Sequence, residues 1–336
     1  MGRFRKIENI QEWQVLLDRA LFKTFFHSLQ WESFLEKDLK WLCFERYLWQ
    51  DRALLSLARV KAFGQEKFIS HPFCEYGGPL PLTGEIGFKE FKKDLLAELK
   101  APLKISFHPK SLDYFTGLSP VEARQGAQAG KRISHFLDFE GLKNKDLLSS
   151  FRYDIRTSIK KSLSKGLSFE ELKDKGDLKK LYQLYARTMK RHSNIPLPFS
   201  FFKFFKESSS AKIFLVKKDK EMLTGSVFLF HDEFLHYFIT GDSYQALREF
   251  KANHFLLYKV MEKFRHKVGF FDLGATRKGS SLENFKKGWR GKEQPILEIN
   301  TSSAKERSQS KLRGVLKIMP TPCLRFFSKQ LIKFKL

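Results

Sequence analysis

The feature that most constrains the fold is a pattern that occurs twice along the chain: a meander of short strands, a helix, and a strand ending in a polar loop. In the first half, the apolar spacing predicts strands at 41–49, 53–60 and 68–73, a helix over 88–99 and a strand at 103–107. In the second half, it predicts strands at 213–217, 223–230 and 234–240, a helix over 252–266 and a strand at 270–273. The halves share no evident sequence identity, so the duplication is architectural, and we expect two α/β (α+β) domains of one design.

A change in composition lies between the two halves. Residues 117–132 combine Gly and Pro with Ala, Gln and basic side chains, which is typical of an interdomain connection. We therefore predict a first domain over 1–132, a second domain over 133–300 and a basic tail over 301–336. A length of 336 residues suits two domains of ordinary size.

Two further helices are predicted where the second half begins. The first covers 151–165 and ends at Gly166, and the second follows Asp177, which we take as its N-cap, and continues through Arg191. Between them, Glu170 and Glu171 lie in a charged stretch that is typical of a solvated loop.

The tail differs from the rest of the chain because it holds nine Lys or Arg residues and one acid. If it is helical, one stripe comprises Leu324, Phe327, Leu331 and Phe334, and a neighbouring stripe comprises Arg325, Lys329 and Lys333. A basic amphipathic helix can lie on an anionic membrane, and a C-terminal helix docked on its own domain shows the same pattern. The sequence leaves both interpretations open.

The chain also carries a large positive charge, with 62 Lys and Arg against 37 Asp and Glu, a net +25. Such an excess attracts phosphate-rich partners, whether nucleic acid, pyrophosphates or an anionic membrane surface. A hydrophobic share of 42% favours a packed core over a disordered polyelectrolyte. With no apolar stretch of membrane-span length, no signal-peptide pattern and three cysteines without metal-ligand spacing, we expect a cytoplasmic protein that binds no metal.

The usual nucleophile and nucleotide-binding motifs are absent from the sequence, and cationic clusters stand out instead. Arg152, Arg156 and Lys160 recur at every fourth position, so a helix would place them on one face. Arginines at this spacing can hold a phosphate or a carboxylate through paired hydrogen bonds. The simpler interpretation, which this pattern alone favours, is a solvated helix face.

A second cluster surrounds Asp272 and Lys286. Asp272 ends a strand before a Gly-rich turn, where polar groups of α/β sheets often face a ligand, although an Asp there also commonly caps the turn. Lys286 lies between Phe285 and Trp289, so apolar packing could hold its ammonium beside a developing oxyanion. A surface lysine is the simpler alternative.

Several short motifs, taken in order, resemble the FemABX family, and more narrowly its shorter FemAB-like branch associated with exopolysaccharide or cell-envelope loci. They fall within 28–300 and comprise Tyr76-Gly77-Gly78, 151–156, Tyr237 with Gly241-Asp242-Ser243, Ala252-Asn253, 271–274 and 285–289. Each motif is weak alone, whereas the ordered set is fairly specific. The resemblance implies two tandem GNAT-like domains, each a mixed, mostly antiparallel sheet flanked by helices, in agreement with the repeated pattern.

The same resemblance implies transfer of an aminoacyl or acyl group onto an amine of a cell-envelope precursor, because characterised relatives move an aminoacyl group from tRNA to a peptidoglycan precursor. It implies that Lys286 stabilises the oxyanion and that Tyr237 lines the cleft. We assign the remaining substrate contacts to Asp272, Arg152, Arg156, Asn253 and Tyr76. Direct attack by the amine needs mainly proximity and oxyanion stabilisation, which accounts for the missing Ser or Cys nucleophile.

The resemblance implies an acyl donor and an acceptor, with no bound cofactor beyond the donor. The donor is aminoacyl-tRNA or acyl-CoA, and the acceptor is a phosphate-bearing envelope precursor. The basic pattern of the tail 301–336 makes the tail a candidate contact with the inner face of the plasma membrane. Two other functions stay open at this stage: a CoA-dependent N-acyltransferase and a non-catalytic nucleic-acid-binding protein, which the charge supports.

The sequence departs from the family at two motifs and from ordinary GNAT enzymes at a third, and it has no long coiled-coil insertion of the kind seen in some tRNA-using members. His108-Pro109 stands where relatives often carry Asp-Pro, and 196–202 lacks the Arg and Tyr of relatives. The positions before Ala252-Asn253, where ordinary GNAT enzymes hold a pyrophosphate with glycine-rich backbone, read Arg248 to Lys251 and lack glycine. This last departure counts against a CoA donor.

Overall fold

The computed structural model describes residues 3–62, 64–118, 132–301, 314 and 316–335. The chain divides into two compact units, and neither is continuous in sequence. Unit 1 comprises Met1–Ser134, Ala275–Lys278 and Gln294–Ala304, and unit 2 comprises His135–Gly274, Gly279–Glu293 and Lys305–Leu336. These units differ from the contiguous ranges 1–132, 133–300 and 301–336, because two short segments late in the chain pack with unit 1 and the C-terminal segment packs with unit 2. The centre of the predicted connection, 119–131, lies outside the described residues.

The elements before residue 132 are eight strands and three α-helices among the described residues. The strands are β1 (Phe4–Lys6), β2 (Leu42–Trp49), β3 (Ala53–Ala62), β4 (Gln65–Ile69), β5 (Leu80–Pro81), β6 (Ile86–Gly87), β7 (Leu103–Ser106) and β8 (Phe115–Thr116). The helices are α1 (Ile10–Asp18), α2 (Leu29–Asp38) and α3 (Phe88–Glu98). The predicted hairpin, helix and following strand are therefore present, and the third strand ends at Ile69 because left-handed backbone at His71 and Phe73 interrupts it.

The elements from residue 132 onward repeat this order. The strands are β9 (Arg132–Asp138), β10 (Ser168–Glu171), β11 (Ala211–Lys218), β12 (Glu221–His231), β13 (Phe234–Asp242), β14 (Phe270–Asp272), β15 (Thr276–Arg277), β16 (Lys292–Pro295) and β17 (Glu298–Asn300). The helices are α4 (Tyr153–Leu163), α5 (Lys175–Arg191), α6 (Phe199–Glu207), α7 (Tyr244–Glu249), α8 (Ala252–Phe264), α9 (Ser281–Gly288), α10 (Thr321–Phe326) and α11 (Ser328–Leu331).

Two of the sequence predictions for this half are wrong. Helix α5 begins after Asp174, whose carboxylate accepts hydrogen bonds from the Gly176 and Asp177 N–H groups, so the N-cap is Asp174 rather than Asp177. Glu170 and Glu171 lie in strand β10, not in a loop, because β10 pairs antiparallel with the edge of β11. An edge strand can carry charge on its solvent side, and this is why the composition resembled a loop.

Each half forms a mixed, mostly antiparallel sheet, as the resemblance predicted. The first sheet has the order β1-β2-β3-β4-β7-β17, with β5 also on β3, and its one parallel pair among the described strands is β4 with β7. The second has the order β10-β11-β12-β13-β14-β9-β15, with β16 also on β9, and there β13 pairs parallel with β14. Both parallel pairs follow from a helical crossover, α3 in one half and α8 in the other, since parallel neighbours need such a connection.

Phenylalanine supplies much of both cores. In unit 1, α3 packs on the sheet through buried residues that include Trp49, Phe91 and Phe107. In unit 2, the main cluster lies on the sheet face covered by α4 and α8, and it includes Phe228, Phe271, Leu256 and Trp289.

Candidate active site

The candidate site lies in unit 2 at the end of strand β14, where the chain turns out of the sheet. Asp272 is buried, and its Oδ1 accepts a hydrogen bond of 2.7 Å from the Gly274 N–H. Gly274 has a φ of 77°, a left-handed backbone that a side-chain-bearing residue rarely adopts. Asp272 therefore does cap its own turn, and its second oxygen lies 3.8 Å from Nε2 of His236 on the neighbouring strand.

Lys286 is the cation that helix α9 brings to this turn. Its side chain is buried, with only 3% of the residue exposed, and its Nζ donates a hydrogen bond of 2.7 Å to the Gly274 carbonyl. The next residue, Lys287, is half-exposed and pairs with Glu283 at 2.6 Å. Helical geometry turns consecutive residues by about 100°, so α9 directs one lysine inward and its neighbour outward. The Lys286 ammonium is thus held in place at the strand end and is not a surface lysine.

His135 on β9 is a further residue near the site, and the sequence pattern did not predict it. The side chain is fully buried, and neither ring nitrogen has a hydrogen-bond partner among the described residues. Burial lowers the pKa of His135 below its ordinary value, and the charge of Lys286 lowers it further. Because side chains alternate along a strand, His135 shares a face with Leu137, which belongs to the cluster that also contains Trp289. The alternation of side chains along β9 is visible in the sequence and could have placed His135 with Leu137. Only the pairing of β9 with β14 shows that this face of the strand is the one that packs against the main cluster.

Tyr237 and Asp272 lie on opposite faces of the sheet. Tyr237 packs against the main cluster beside Phe228, with ring centroids 5.5 Å apart, and its hydroxyl accepts a hydrogen bond from Thr240. Burial raises the pKa of Tyr237 to about 12, so its phenol stays protonated at neutral pH. Asp272 instead shares the face of His236, the residue with which it is in register. The sheet thus places Tyr237 on the face of His135 and directs the Asp272 carboxylate to the other.

The two arginines of the predicted ladder lie at the start of α4. Arg152 is the exposed N-cap residue, and its guanidinium forms paired hydrogen bonds of 2.7 and 2.6 Å with Asp154. Arg156 donates to the Phe151 carbonyl at 2.8 Å. The Arg152 N–H also donates to the Gly288 carbonyl at 3.0 Å, which joins the start of α4 to the last turn of α9. Arg152 therefore lies beside the helix that carries Lys286, and Arg156 stabilises the turn before α4 through its hydrogen bond to Phe151.

Asn253 lies in the first turn of helix α8 and connects it to the sheet. Its Oδ1 accepts a hydrogen bond of 2.6 Å from the Thr224 hydroxyl on β12. Lys251, at the N-cap, has a φ of 55°, the left-handed conformation that glycine adopts most easily. A lysine thus occupies the position where a glycine would leave the backbone open to a pyrophosphate.

Tyr76 belongs to unit 1 and is buried there. Its ring packs edge-on against His108, with centroids 4.6 Å apart. His108 caps the following turn, because its Nδ1 accepts a hydrogen bond of 3.1 Å from the Lys110 N–H. The His108-Pro109 departure from the family therefore keeps a side-chain acceptor at the start of this turn.

The comparisons with known proteins agree with this architecture. Residues 149–287, which include both α4 and Lys286, match the family described as "Acetyltransferase (GNAT) domain". Among solved structures, FemX is 16% identical with a TM-score of 0.60, and the match covers 92% of this chain and 99% of FemX. The structure of L-PGS from Bacillus licheniformis is 12% identical with a TM-score of 0.53, covering 93% of this chain and 98% of that one.

A third structure, the C-terminal domain (DUF2156) of a lysylphosphatidylglycerol synthetase from Agrobacterium fabrum, is 13% identical with a TM-score of 0.52. That match covers 90% of this chain and 96% of the domain. No curated protein matches the chain. The fold and the matched domain define the chain as a GNAT-fold acyltransferase. The tandem GNAT fold that the FemABX resemblance implied is confirmed, because the chain shares the fold of FemX.

Proposed function

We propose that this acyltransferase moves an aminoacyl group from aminoacyl-tRNA onto an amine of a phosphate-bearing cell-envelope precursor, such as a peptidoglycan or polysaccharide intermediate. The observation that carries the proposal is the buried ammonium of Lys286, fixed 2.7 Å from the Gly274 carbonyl at the end of β14. A cation that is already in position costs no reorganisation when negative charge develops on a substrate oxygen. The ordered family motifs support the choice of substrates.

The reaction balances without an enzyme nucleophile. The acceptor nitrogen attacks the ester carbonyl carbon, a C–N bond forms, and the carbonyl oxygen becomes an oxyanion that Lys286 stabilises. Collapse of this intermediate breaks the ester C–O bond, and the proton of the amine passes to the departing ribose oxygen. His135 is neutral at pH 7 because its pKa is lowered, so it adds no second buried charge beside Lys286.

The remaining predicted residues take supporting roles in this proposal. Arg152, exposed at the start of α4, binds a phosphate or carboxylate of the precursor by exchanging its present partner Asp154 for the ligand. Arg156, Asn253, Tyr237 and Asp272 position the backbone and sheet around the site through the hydrogen bonds described above. Tyr76 would contact substrate only after rearrangement, since it is buried in unit 1.

An acyl-CoA donor is the second candidate, and it is favoured by the match to an acetyltransferase domain. The same attack would then break the thioester C–S bond and release a thiol. Lys251 argues against this donor, because its side chain occupies a position where ordinary GNAT enzymes present open backbone. The proposed location is the cytoplasm, where both donors occur. No helix among the described residues has the length and apolar content to cross a membrane.

The test is a transfer assay with two donor arms. Purified protein is incubated with envelope precursors bearing free amines and with either aminoacyl-tRNA or acetyl-CoA, and the product mass is measured. If the precursor gains the mass of an aminoacyl group, and does so only with aminoacyl-tRNA, the proposal is supported. If the precursor gains the mass of an acetyl group, and does so only with acetyl-CoA, the second candidate is supported. Binding of tRNA without consumption of the aminoacyl ester would instead indicate a nucleic-acid-binding protein.

A further inference from the structure

The C-terminal segment docks on unit 2 by a different face from the one that its sequence pattern suggests. Leu324 and Ile332 are fully buried, and Ser328 lies between them within 3.4 Å of the Tyr182 hydroxyl. The predicted stripe is only partly buried: Leu324 and Leu331 pack in the cluster that anchors the segment, whereas Phe327 and Phe334 are 44% and 43% exposed. The helix is interrupted at Phe327 between α10 and α11, which shifts the buried face toward Ile332. The segment is anchored, and part of its apolar surface points outward.

The outward side of this segment carries large apolar side chains. Phe326 is 77% exposed, Ile318 81%, Phe327 44% and Phe334 43%. The rings of Phe326 and Phe327 touch, with their centroids 5.0 Å apart. We call Phe326 and Phe327 the C-terminal patch. Adjacent exposed aromatic rings are costly in water, and they commonly mark a surface that contacts a partner or a membrane.

A pocket of about 400 Å³ opens beside the C-terminal patch, between α5, α6 and α10. Its walls combine the rings of Tyr182, Phe199 and Phe326 with the cationic side chains of Lys179 and Arg325. Arg325 is only partly buried and lines the pocket together with Lys179, which is exposed. Two cationic side chains beside apolar rings suit a ligand that brings an anionic oxygen.

The charge around the pocket has the same sign. Residues 316–335 include five Lys or Arg and no acid. Next to the lining residue Phe199, the Lys203 ammonium lies 5.4 Å from the centre of the Phe199 ring. Apolar rings among cations are the pattern by which a protein surface binds anionic lipid, because the rings enter the interface while Lys and Arg remain at the phosphates.

We propose that the pocket and the C-terminal patch form a docking site for a bilayer surface rich in anionic phospholipid. A lipid phosphate binds between Arg325 and Lys179, and Phe326 and Phe327 enter the boundary between headgroups and acyl chains. None of these residues belongs to the candidate active site, so the docking site stands whether or not the proposed transfer is correct. It would bring the enzyme to the surface at which envelope precursors are assembled.

The experiment is co-sedimentation of the full chain with vesicles of phosphatidylcholine alone or mixed with phosphatidylglycerol. We expect binding to the mixed vesicles only, and release at high salt, because screening weakens the attraction to phosphate. Arg325→Glu should weaken binding by at least about fivefold, since one basic residue near an anionic surface contributes about that factor. The double variant Phe326→Ser with Phe327→Ser should weaken vesicle binding without changing its salt dependence, because the two substitutions remove apolar surface and no charge.

Two matched controls lie on α4, away from the pocket. Lys161→Glu repeats the charge reversal on an exposed lysine, and Leu163→Ser removes an exposed apolar side chain of α4. Equal binding by Arg325→Glu and Lys161→Glu would overturn the proposed site, as would equal binding to both kinds of vesicle. If tRNA displaces the protein from the vesicles and Arg325→Glu weakens only tRNA binding, the occupant is nucleic acid and the proposal fails.

Discussion

Replacement of Lys286 by Met is the perturbation that tests the proposed chemistry most directly. The substitution keeps an unbranched side chain of similar length and removes the ammonium that donates to the Gly274 carbonyl. If Lys286 stabilises the oxyanion, kcat should fall by about 10²- to 10³-fold, the usual effect of losing one such donor. KM should change little, because the lost interaction strengthens only as charge develops in the transition state.

The structural cost of this substitution can be separated from the catalytic one. The buried Gly274 carbonyl loses its ammonium donor, which should lower the free energy of unfolding by about 1–3 kcal/mol. A domain with ordinary stability survives that loss. Denaturant unfolding followed by circular dichroism measures this change, and the transfer assay by mass spectrometry measures kcat and KM on the same preparation.

Lys287→Met is the matched control on the same helix. Lys287 is half-exposed, and its Nζ pairs with the carboxylate of Glu283, a residue that is only 3% exposed. Lys287→Met therefore has a structural cost of its own, and it removes a lysine of the same helix without removing the ammonium at Gly274. Its kcat should stay near that of the unmodified protein. A folded Lys286→Met protein whose kcat lies within about threefold of the control would refute the oxyanion role, because that difference is less than 1 kcal/mol in barrier height.

Three further outcomes are expected. Burial lowers the pKa of His254 to about 4, so below pH 6.5 the unfolded chain takes up a proton that the folded protein does not. The free energy of unfolding should therefore fall by about 3 kcal/mol between pH 6.5 and pH 4. Denaturant titration of His254→Gln should show a smaller fall over the same pH range. Leu324→Ala should cost about 2–4 kcal/mol or release the C-terminal segment to limited trypsin digestion, whereas Phe326→Ala, at an exposed position, should leave the digestion pattern unchanged. Arg152→Gln should raise KM for the phosphate-bearing precursor about tenfold while Tm stays constant, and an unchanged KM would remove Arg152 from the binding site.

The repeated order of elements was predictable because it depends on local pattern. The alternation over Leu42–Trp49 and Ala53–Ala62, with the short polar turn between them, specified a hairpin before any tertiary information was used. Helix α3 was predictable for the same reason, since its apolar residues recur at helical spacing. The cluster at Asp272 and Lys286 was also identified from the sequence, since the Gly-rich turn and the nearby lysine are close along the chain.

Local pattern did not determine which face of an element meets which neighbour. The tail pattern contains two possible apolar faces, and the break at Phe327 together with the Tyr182 hydroxyl selects the one through Leu324 and Ile332. His135 was missed because one histidine in an apolar strand has no distinctive spacing, and it joins the site only when β9 pairs with β14.

The sequence by itself therefore determined the kind and order of the elements, the family resemblance and the excess of positive charge. The tertiary structure decided which lysine is buried, which oxygen it contacts, and that Tyr237 and Asp272 face opposite sides of one sheet. The physical reason is that strand and helix periodicity arise between residues a few positions apart, whereas burial and hydrogen-bond partners arise between segments far apart in sequence.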